Sequence, residues 1–518
     1  MENWLGYRWL AARYGISVVQ APPVDSRVGP TRRSILDNQA THEIYPAVMR
    51  PDDSLAAHLT FALKHEGVHL EFLSRLFSRA PEAEIAAWVN DERTGQYARR
   101  AGFLWEWLRG RELKGVASVT AGNYVEAIDP EMYLVSRTPG NNTRWRVRDN
   151  LPGTREFCPM VRRTPQVRAA EKYDCSAELH SLEAEYGPDI LLRSAVWLTV
   201  KESRASFLIE HEEDKKGRVK RFARVMEQHC GNLPKPLDRE TLAELQRDVI
   251  GDKSTLSRFG LRKSPVFVGE AASYREIVHY LAPHWKELGG MLKGMEAVIE
   301  RTKGASPIVR AAVVSFGFVY IHPLADGNGR IHRFLINDIL RRDGAVPRPF
   351  ILPVSATITD NAQGRAQYDG VLEYFSKPFM AGYKESYEFS QAARKYEDGV
   401  TSNFVFAAYD DALAAWRYPD LTRHAEYLAD LIEKTIRLEM RKEADQLRSW
   451  DKARAAVKEI IEGPNADIDR IIRSIKENTG RISNKLVREF PVLSGDAIAK
   501  RILKAIAAAF PDEALVKD

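Results

Sequence analysis

Residues 322 to 333 read His-Pro-Leu-Ala-Asp-Gly-Asn-Gly-Arg-Ile-His-Arg, and they concentrate the side chains best suited to chemistry. His322 carries an imidazole that can accept a proton from a hydroxyl near neutral pH. Asp326 is a hard oxygen donor of the kind that holds Mg2+ beside phosphates. Gly327 and Gly329 flank Asn328 and let the backbone approach an anion with no side chain in the way. Arg330 and Arg333 lie three apart, so both can face one side of a helix. Their planar forks suit phosphate oxygens better than lysines do. Asp-Gly-Asn-Gly alone is best read as a glycine-rich connection with a capping carboxylate. A histidine four residues before the Asp and an Arg-x-x-Arg after it make a phosphate-transfer site the better reading.

The elements that must position these groups can also be read. Ser306 to Tyr320 is an apolar segment with Ser306 at an N-cap and Pro307 at the first helical position. Ile331, Phe334, Leu335 and Leu340 give the segment after the loop a buried helical face. The stretch is therefore a tight loop between two buried helices, opening at the N-terminus of the second. Free backbone N–H groups and the helix dipole favour an anion there.

His322 to Arg333 resembles the signature of the Fic (Fido) family, His-x-Phe-x-Asp/Glu-Gly-Asn-Gly-Arg-x-x-Arg, and departs from it only at Leu324, where the family has Phe. The resemblance implies a mainly helical fold and transfer of AMP from ATP to a Ser, Thr or Tyr hydroxyl of a target protein. It implies His322 as general base and Asp326 as Mg2+ ligand. It gives Gly327, Asn328 and Gly329 to the phosphate cradle, and Arg330 and Arg333 to the triphosphate. A branch with Lys at the second loop glycine transfers phosphate; Gly329 favours AMP transfer. Ser206-Phe207-Leu208-Ile209-Glu210 is, read alone, part of an amphipathic helix over about 190–213. Beside the signature it resembles the family's inhibitory motif, Ser/Thr-x-x-x-Glu followed by Gly or Asn, with His211 as a departure. This implies that Ser206 and Glu210 restrain the site and that Glu210 competes with the γ-phosphate for Arg333. The extended stretch at about 260–270 resembles the family's β-hairpin flap, which implies a target docked near 262–269 as an added strand. Tyr368 falls where it could pack near the adenine, or simply in the core. The resemblance covers about residues 190 to 380. The opening aromatic cluster and Phe61 to Phe77 resemble more weakly the N-terminal extension of some bacterial members.

The chain has 518 residues, too many for one ordinary domain. We expect a helical N-terminal region over 1–180 and a Fic core over 181–400. A long helical segment should follow over 401–465, then a helix-turn-helix or winged-helix-like module over 466–518. Segments 54–79 and 81–110 have helical periodicity, 138–167 reads as irregular, 238–256 as helical, and 273–303 as helices leading into the core. Trp4, Tyr7 and Trp9 are packing residues. A net charge of +5 on this length argues for no particular acidic partner. Three scattered cysteines give no disulfide framework or Cys-x-x-Cys site. The N-terminus lacks a signal-peptide profile, and no apolar run suffices to span a bilayer, so a cytoplasmic protein is expected. A homo-oligomer is compatible with the sequence.

Two features support other functions. His65-Glu66-Gly67-Val68-His69 fits the His-Glu-x-x-His pattern of a zinc metalloprotease, though the pattern is short and carries a glycine inside its helix. Lys500, Arg501 and Lys504 sit on the third helical pattern of the C-terminal module, where they could meet DNA phosphates. That second feature supports a nucleotide-responsive DNA-binding regulator. The base at His322 favours an enzyme, because a sensor has no need of it.

Overall fold

The computed structural model describes residues 3–37, 40–210, 216–251, 256, 258–272 and 275–511. The fold is mostly helical, with four small sheets among the described residues. Two helices cross at its centre. Pro307–Ile321 begins behind Ser306 and is buried along almost its whole length. Asn328–Arg342 packs along it, and the signature loop is the turn between them. A helix apolar on every side must be enclosed. Helices Pro165–Lys172, Leu288–Arg301 and Thr422–Lys434 enclose this one, inside one apolar cluster that reaches from Val19 to Ala444.

Helix Pro188–Ile209 lies against this core, where the amphipathic pattern predicted it. It packs on Lys216–His229, on the short helix Val354–Thr359 and on the long helix Arg441–Lys458. The expected helix at 238–256 runs Arg239–Ile250, capped by Asp238.

The flap is a hairpin of Phe267–Ala272 and Arg275–Leu281, with Phe267 opposite Leu281 and a bulge after Val268. It therefore lies later than the expected 260–270, and the stretch before Phe267 is its foot. Residues 273–303 are not all helical, because Arg275–Leu281 is the second flap strand; helix Leu288–Arg301 comes after it. A second hairpin, Tyr387–Lys395 with Thr401–Phe406, stands beside the flap, and its Phe389 and Phe404 pack on Phe267. The expected helical segment at 401–465 thus begins with a strand. Its helices are Tyr409–Arg417, Thr422–Lys434 and Arg441–Lys458, the last two joined by a π-helical stretch.

The N-terminal region has its own core, in which Tyr7, Trp9 and Phe72 are buried. It is less helical than expected. Val24–Val28, Thr41–Tyr45 and Arg33–Leu36 form one three-stranded sheet, and Val125–Glu126, Val147–Asp149 and Gly140–Asn142 form another. These strands hold two to five residues, and each sheet mixes parallel with antiparallel pairing. Segments so short carry little periodic signal.

The C-terminal module is helical: Asn465–Glu477, Asn484–Glu489 and Asp496–Ala509 close a third core against Ala453 and Val457 of the long helix. Among the described residues no strand follows Phe406, so the winged form of that expectation is not met. Nor is any helix among them long and apolar enough to cross a membrane.

Candidate functional site

The loop begins with strained backbone. His322 caps helix Pro307–Ile321 in the left-handed region, with φ 48° and ψ 57°. A non-glycine residue rarely holds that conformation unless its surroundings over-determine it. Here Arg262 does so. It is buried, and it donates from Nε to the His322 carbonyl at 2.8 Å. Its other nitrogens donate to the carbonyls of Ser264 (2.8 Å) and Pro283 (2.6 Å), one at each foot of the flap. Its backbone N–H donates to the Pro323 carbonyl at 2.9 Å. One guanidinium therefore locks the flap to the signature loop. Burial pulls its pKa down to about 10.

The imidazole of His322 is set by its own helix. Nδ1 lies 3.0 Å from the Val319 carbonyl, which can only accept, so Nδ1 carries the proton and Nε2 the lone pair. Burial, with help from Arg262, lowers the pKa to about 4. The ring is a neutral base at physiological pH.

Leu324, in place of the family's Phe, is fully buried. Asn328 ties it down: Oδ1 accepts from the Leu324 N–H at 3.0 Å and Nδ2 donates to its carbonyl at 2.8 Å. The Asn328 side-chain amide is thus spent on the loop's shape. Gly327 has φ 91° and sits against Ile250. Gln246 reinforces the turn, donating to the Asp326 carbonyl at 2.9 Å and accepting from the Gly260 N–H at 2.7 Å. The Asp326 carboxylate points outward; one oxygen accepts from Arg330 at 3.1 Å, and the side chain is half exposed.

Helix Pro188–Ile209 leans on both arginines. Arg330 stacks over Phe207, 5.2 Å from the ring centre. Arg333 is completely buried and donates to the Ser206 hydroxyl (2.7 Å), the Ser206 carbonyl (3.1 Å) and Glu210 Oε1 (2.6 Å). Its remaining nitrogen, Nη1, has no acceptor among the described residues. A β-carbon on Gly329 would collide with the Glu210 carboxylate, so that carboxylate lies directly on the loop backbone. Burial opposes its charge, but Arg333 and then Arg330 outweigh burial and hold its pKa below the usual range. His211, the departure after Glu210, falls outside the described residues.

Behind this contact, Glu202 is buried one helical turn before Ser206. It accepts from both the Ser355 N–H and hydroxyl at 2.6 Å, and burial raises its pKa to about 7. Tyr368 is buried against His332 and Tyr427. That matches the core alternative for this residue.

Sequence reasoning did not find Arg262, Gln246 or Asp398. Asp398, in the turn of the second hairpin, accepts from the Lys263 N–H (2.6 Å) and the Ser264 hydroxyl (2.7 Å) and so braces the flap's foot. All three act across large sequence separations, and no local spacing announces such contacts. The second hairpin did leave a signal: Tyr387 with Phe389 and Phe404 with Phe406 alternate with period two, around Asp398-Gly399.

The His65–His69 motif does not form one helical face. The helix stops at Gly67, whose φ is 89°, and His69 opens the next helix as its cap. Glu66 accepts the Tyr7 N–H, and His69 Nε2 bonds the Gln20 carbonyl. Among the described residues no group of three or more His, Cys, Asp or Glu side chains is arranged to hold a metal ion. Lys500, Arg501 and Lys504 are exposed on the last helix, in a separate core from the loop.

Residues 236–340 match the Fic/DOC family. The protein adenylyltransferase fic-1 of Caenorhabditis elegans is 32% identical over 182 residues, covering 35% of this chain and 31% of that protein. Its counterpart from Caenorhabditis briggsae is 26% identical over 202 residues, covering 38% and 35%. The chain thus spans about a third of the length of these relatives. A Fic family protein from Desulfovibrio desulfuricans G20 is similar at a TM-score of 0.35 and 17% identity, over 57% of this chain and 80% of that one.

Proposed function

We propose that the Fic/DOC domain of this chain transfers AMP from ATP to a Ser, Thr or Tyr hydroxyl of a protein, and that the chain restrains itself through Glu210. The names of its relatives support the reaction class. The observation that carries the restraint is the Glu210 carboxylate, which lies on Gly329 and pairs with buried Arg333. A carboxylate there stands in for a phosphate oxygen, so the cradle accepts anions and is already filled by the chain's own.

The mechanism follows from the residues. A target segment pairs with the flap as an added strand and brings its hydroxyl to His322. Nε2 takes the hydroxyl proton as that oxygen attacks the α-phosphorus in line. A phosphorus–oxygen bond forms, the bond to the bridging oxygen breaks, and pyrophosphate leaves. The loop N–H groups, Arg330 and Arg333 stabilise its charge. Asp326 fits Mg2+: a half-exposed carboxylate with one oxygen left to coordinate suits an ion that keeps most of its waters. Bound there, Mg2+ would neutralise charge on the phosphates. While Glu210 holds Arg333, the γ-phosphate lacks its partner and ATP cannot seat with its α-phosphorus facing the base.

The test is label transfer from ATP carrying radiophosphorus at the α position, comparing parent, Glu210→Gly and His322→Ala in the Glu210→Gly background. A charge-assisted hydrogen bond is worth about 1.5–3 kcal/mol, so removing Glu210 should raise labelling about 10- to 100-fold. Removing the base should then lower it about 100-fold or more. Labelling from the γ position and not the α position would replace this reading with phosphate transfer.

A further inference from the structure

We propose that the C-terminal helical module, residues 465–511, binds the backbone of duplex DNA, and that this binding releases Glu210 through the long helix Arg441–Lys458. The release rests on the AMP-transfer reading above; the binding does not.

The surface argument is charge. Residues 465–511 hold nine Lys and Arg against five Asp and Glu, a net charge of +4; the seven residues that follow add three acids and one Lys. Two of the five acids are engaged by arginines: Asp469 by Arg454 and Glu489 by Arg470. Asp496 lies 3.9 Å from Lys500 at the start of the last helix. Lys500, Arg501 and Lys504 share the exposed face of that helix with Ala497 and Ala508, whose small side chains let the helix approach closely. Lys485 and Arg488 are exposed on the preceding helix, and Arg481 just before it. Ile502, Ile506 and Phe510 fix the opposite face of the last helix in the module's core. A short helix followed by a longer one with an outward cationic face is the arrangement that enters a DNA groove. Duplex DNA supplies phosphates at the density such a face can meet, and an isolated acidic peptide does not.

The coupling argument is a run of ion pairs. Arg454 of the long helix donates to Asp469 of the module at 2.7 and 2.9 Å, and to its own helix's Asp451 at 3.1 Å. Asp451 also pairs with Arg193 of helix Pro188–Ile209, at 3.2 Å through Nη1. Two turns further along, Lys201 pairs with buried Glu439 and, at 3.4 Å, with Glu443. The helix that presents Ser206 and Glu210 is thereby tied to the helix that carries the module, and Trp450 of that long helix packs on Phe510 of the module. These pairs are partly buried, so they are less screened than surface pairs. Arg333 holds this helix through three bonds to Ser206 and Glu210, so a ligand that shifts the helix away from Arg333 loosens the restraint and raises the rate.

The experiment uses the full chain and a short fluorescein-labelled duplex of mixed sequence. Anisotropy titrations over a range of salt should give a linear log–log dependence. Replacing Lys500, Arg501 and Lys504 by Ala should flatten its slope by about 2.7, at about 0.9 per cation. Failure to bind, equal binding to poly-glutamate, or a slope unchanged by the substitutions overturns the DNA surface. Hydrogen–deuterium exchange over 188–210 should rise with duplex in the parent and stay flat in Asp469→Asn, which still binds DNA. Labelling from α-labelled ATP should rise several-fold with duplex in the parent and not in Glu210→Gly. Binding with no change in exchange or labelling overturns the coupling. If Glu210→Gly labels nothing while exchange still responds to DNA, the AMP-transfer reading fails and the coupling stands.

Discussion

Replacing Arg262 by Met tests whether one buried guanidinium builds the signature loop. Methionine keeps much of the volume and removes every donor. Three carbonyl acceptors lose their side-chain partner: His322, Ser264 and Pro283. Hydrogen bonds from a charged group are worth about 1.5–3 kcal/mol each, so the gross loss is about 4.5–9 kcal/mol. Against this stands the cost of burying the charge. Burial draws the pKa of Arg262 down to about 10, a shift that corresponds to roughly 3 kcal/mol. The net destabilisation is therefore about 1–6 kcal/mol, read as a lower midpoint in urea. The functional effect is more specific. In the Glu210→Gly background the substitution should lower kcat at least tenfold, because the left-handed backbone at His322 loses its clamp, while the KM for ATP changes little. Arg262→Lys should recover part of the stability and little of kcat, since an ammonium cannot span three carbonyls on three segments. A folded Met variant with unchanged midpoint and unchanged kcat would refute the reasoning.

Three further predictions follow from the same geometry. With the His322 pKa near 4, the acid limb of AMP transfer in Glu210→Gly should lie below pH 5 instead of near 6.5, because the neutral base persists down to that range; a rate profile from pH 4 to 8 checks it. Glu202 is raised from 4.5 to about 7, so the folded state holds its proton longer than the unfolded state; its contribution to stability is fully present below pH 4.5 and falls as pH rises to 7. Glu202→Gln should flatten that fall, seen as a smaller drop in melting temperature between pH 5 and 8. Gly329→Ala places a methyl group where the Glu210 carboxylate lies, so it should expel Glu210 without activating the enzyme, because the same methyl group blocks the phosphate; nucleotide binding by calorimetry should be lost in both the parent and Glu210→Gly backgrounds.

What could be read from the sequence differs between the two halves of the site. The loop from His322 to Arg333 is local: its glycines, its capping position and its paired arginines are set by spacing alone, and the two helices around it have strong apolar patterns. The Ser206–Glu210 pair was legible for the same reason, since a separation of four residues on a helix fixes a common face. The expectation that Glu210 would meet Arg333 came from resemblance, and the 2.6 Å contact matches it. The parts that were not legible are those in which buried backbone carbonyls find a distant donor. A buried polar group must be paired, but the sequence does not say with what. Arg262 looks like one more surface arginine beside Lys263 until the flap's two feet and the loop close around it. The zinc motif erred in the opposite direction, because its residues are adjacent in sequence while Gly67 divides them between two elements.

On the proposed reading, restraint and catalysis share one requirement: buried Arg333 must be paired with an anion, and Glu210 supplies one from the chain itself. Glu210 is held because Arg333 is fully buried, where an unpaired guanidinium would be costly. The same burial means that Arg333 tolerates exchange of one anion for another far better than loss of both. Displacement by triphosphate should therefore be concerted with departure of Glu210. On that reading, activation depends on how firmly helix Pro188–Ile209 is tied from behind, by Glu202 to Ser355 and by Arg193 and Lys201 to the long helix. Weakening those distant ties, with Glu210 and Arg333 untouched, should raise the rate exponentially with the holding energy removed, about tenfold for each 1.4 kcal/mol.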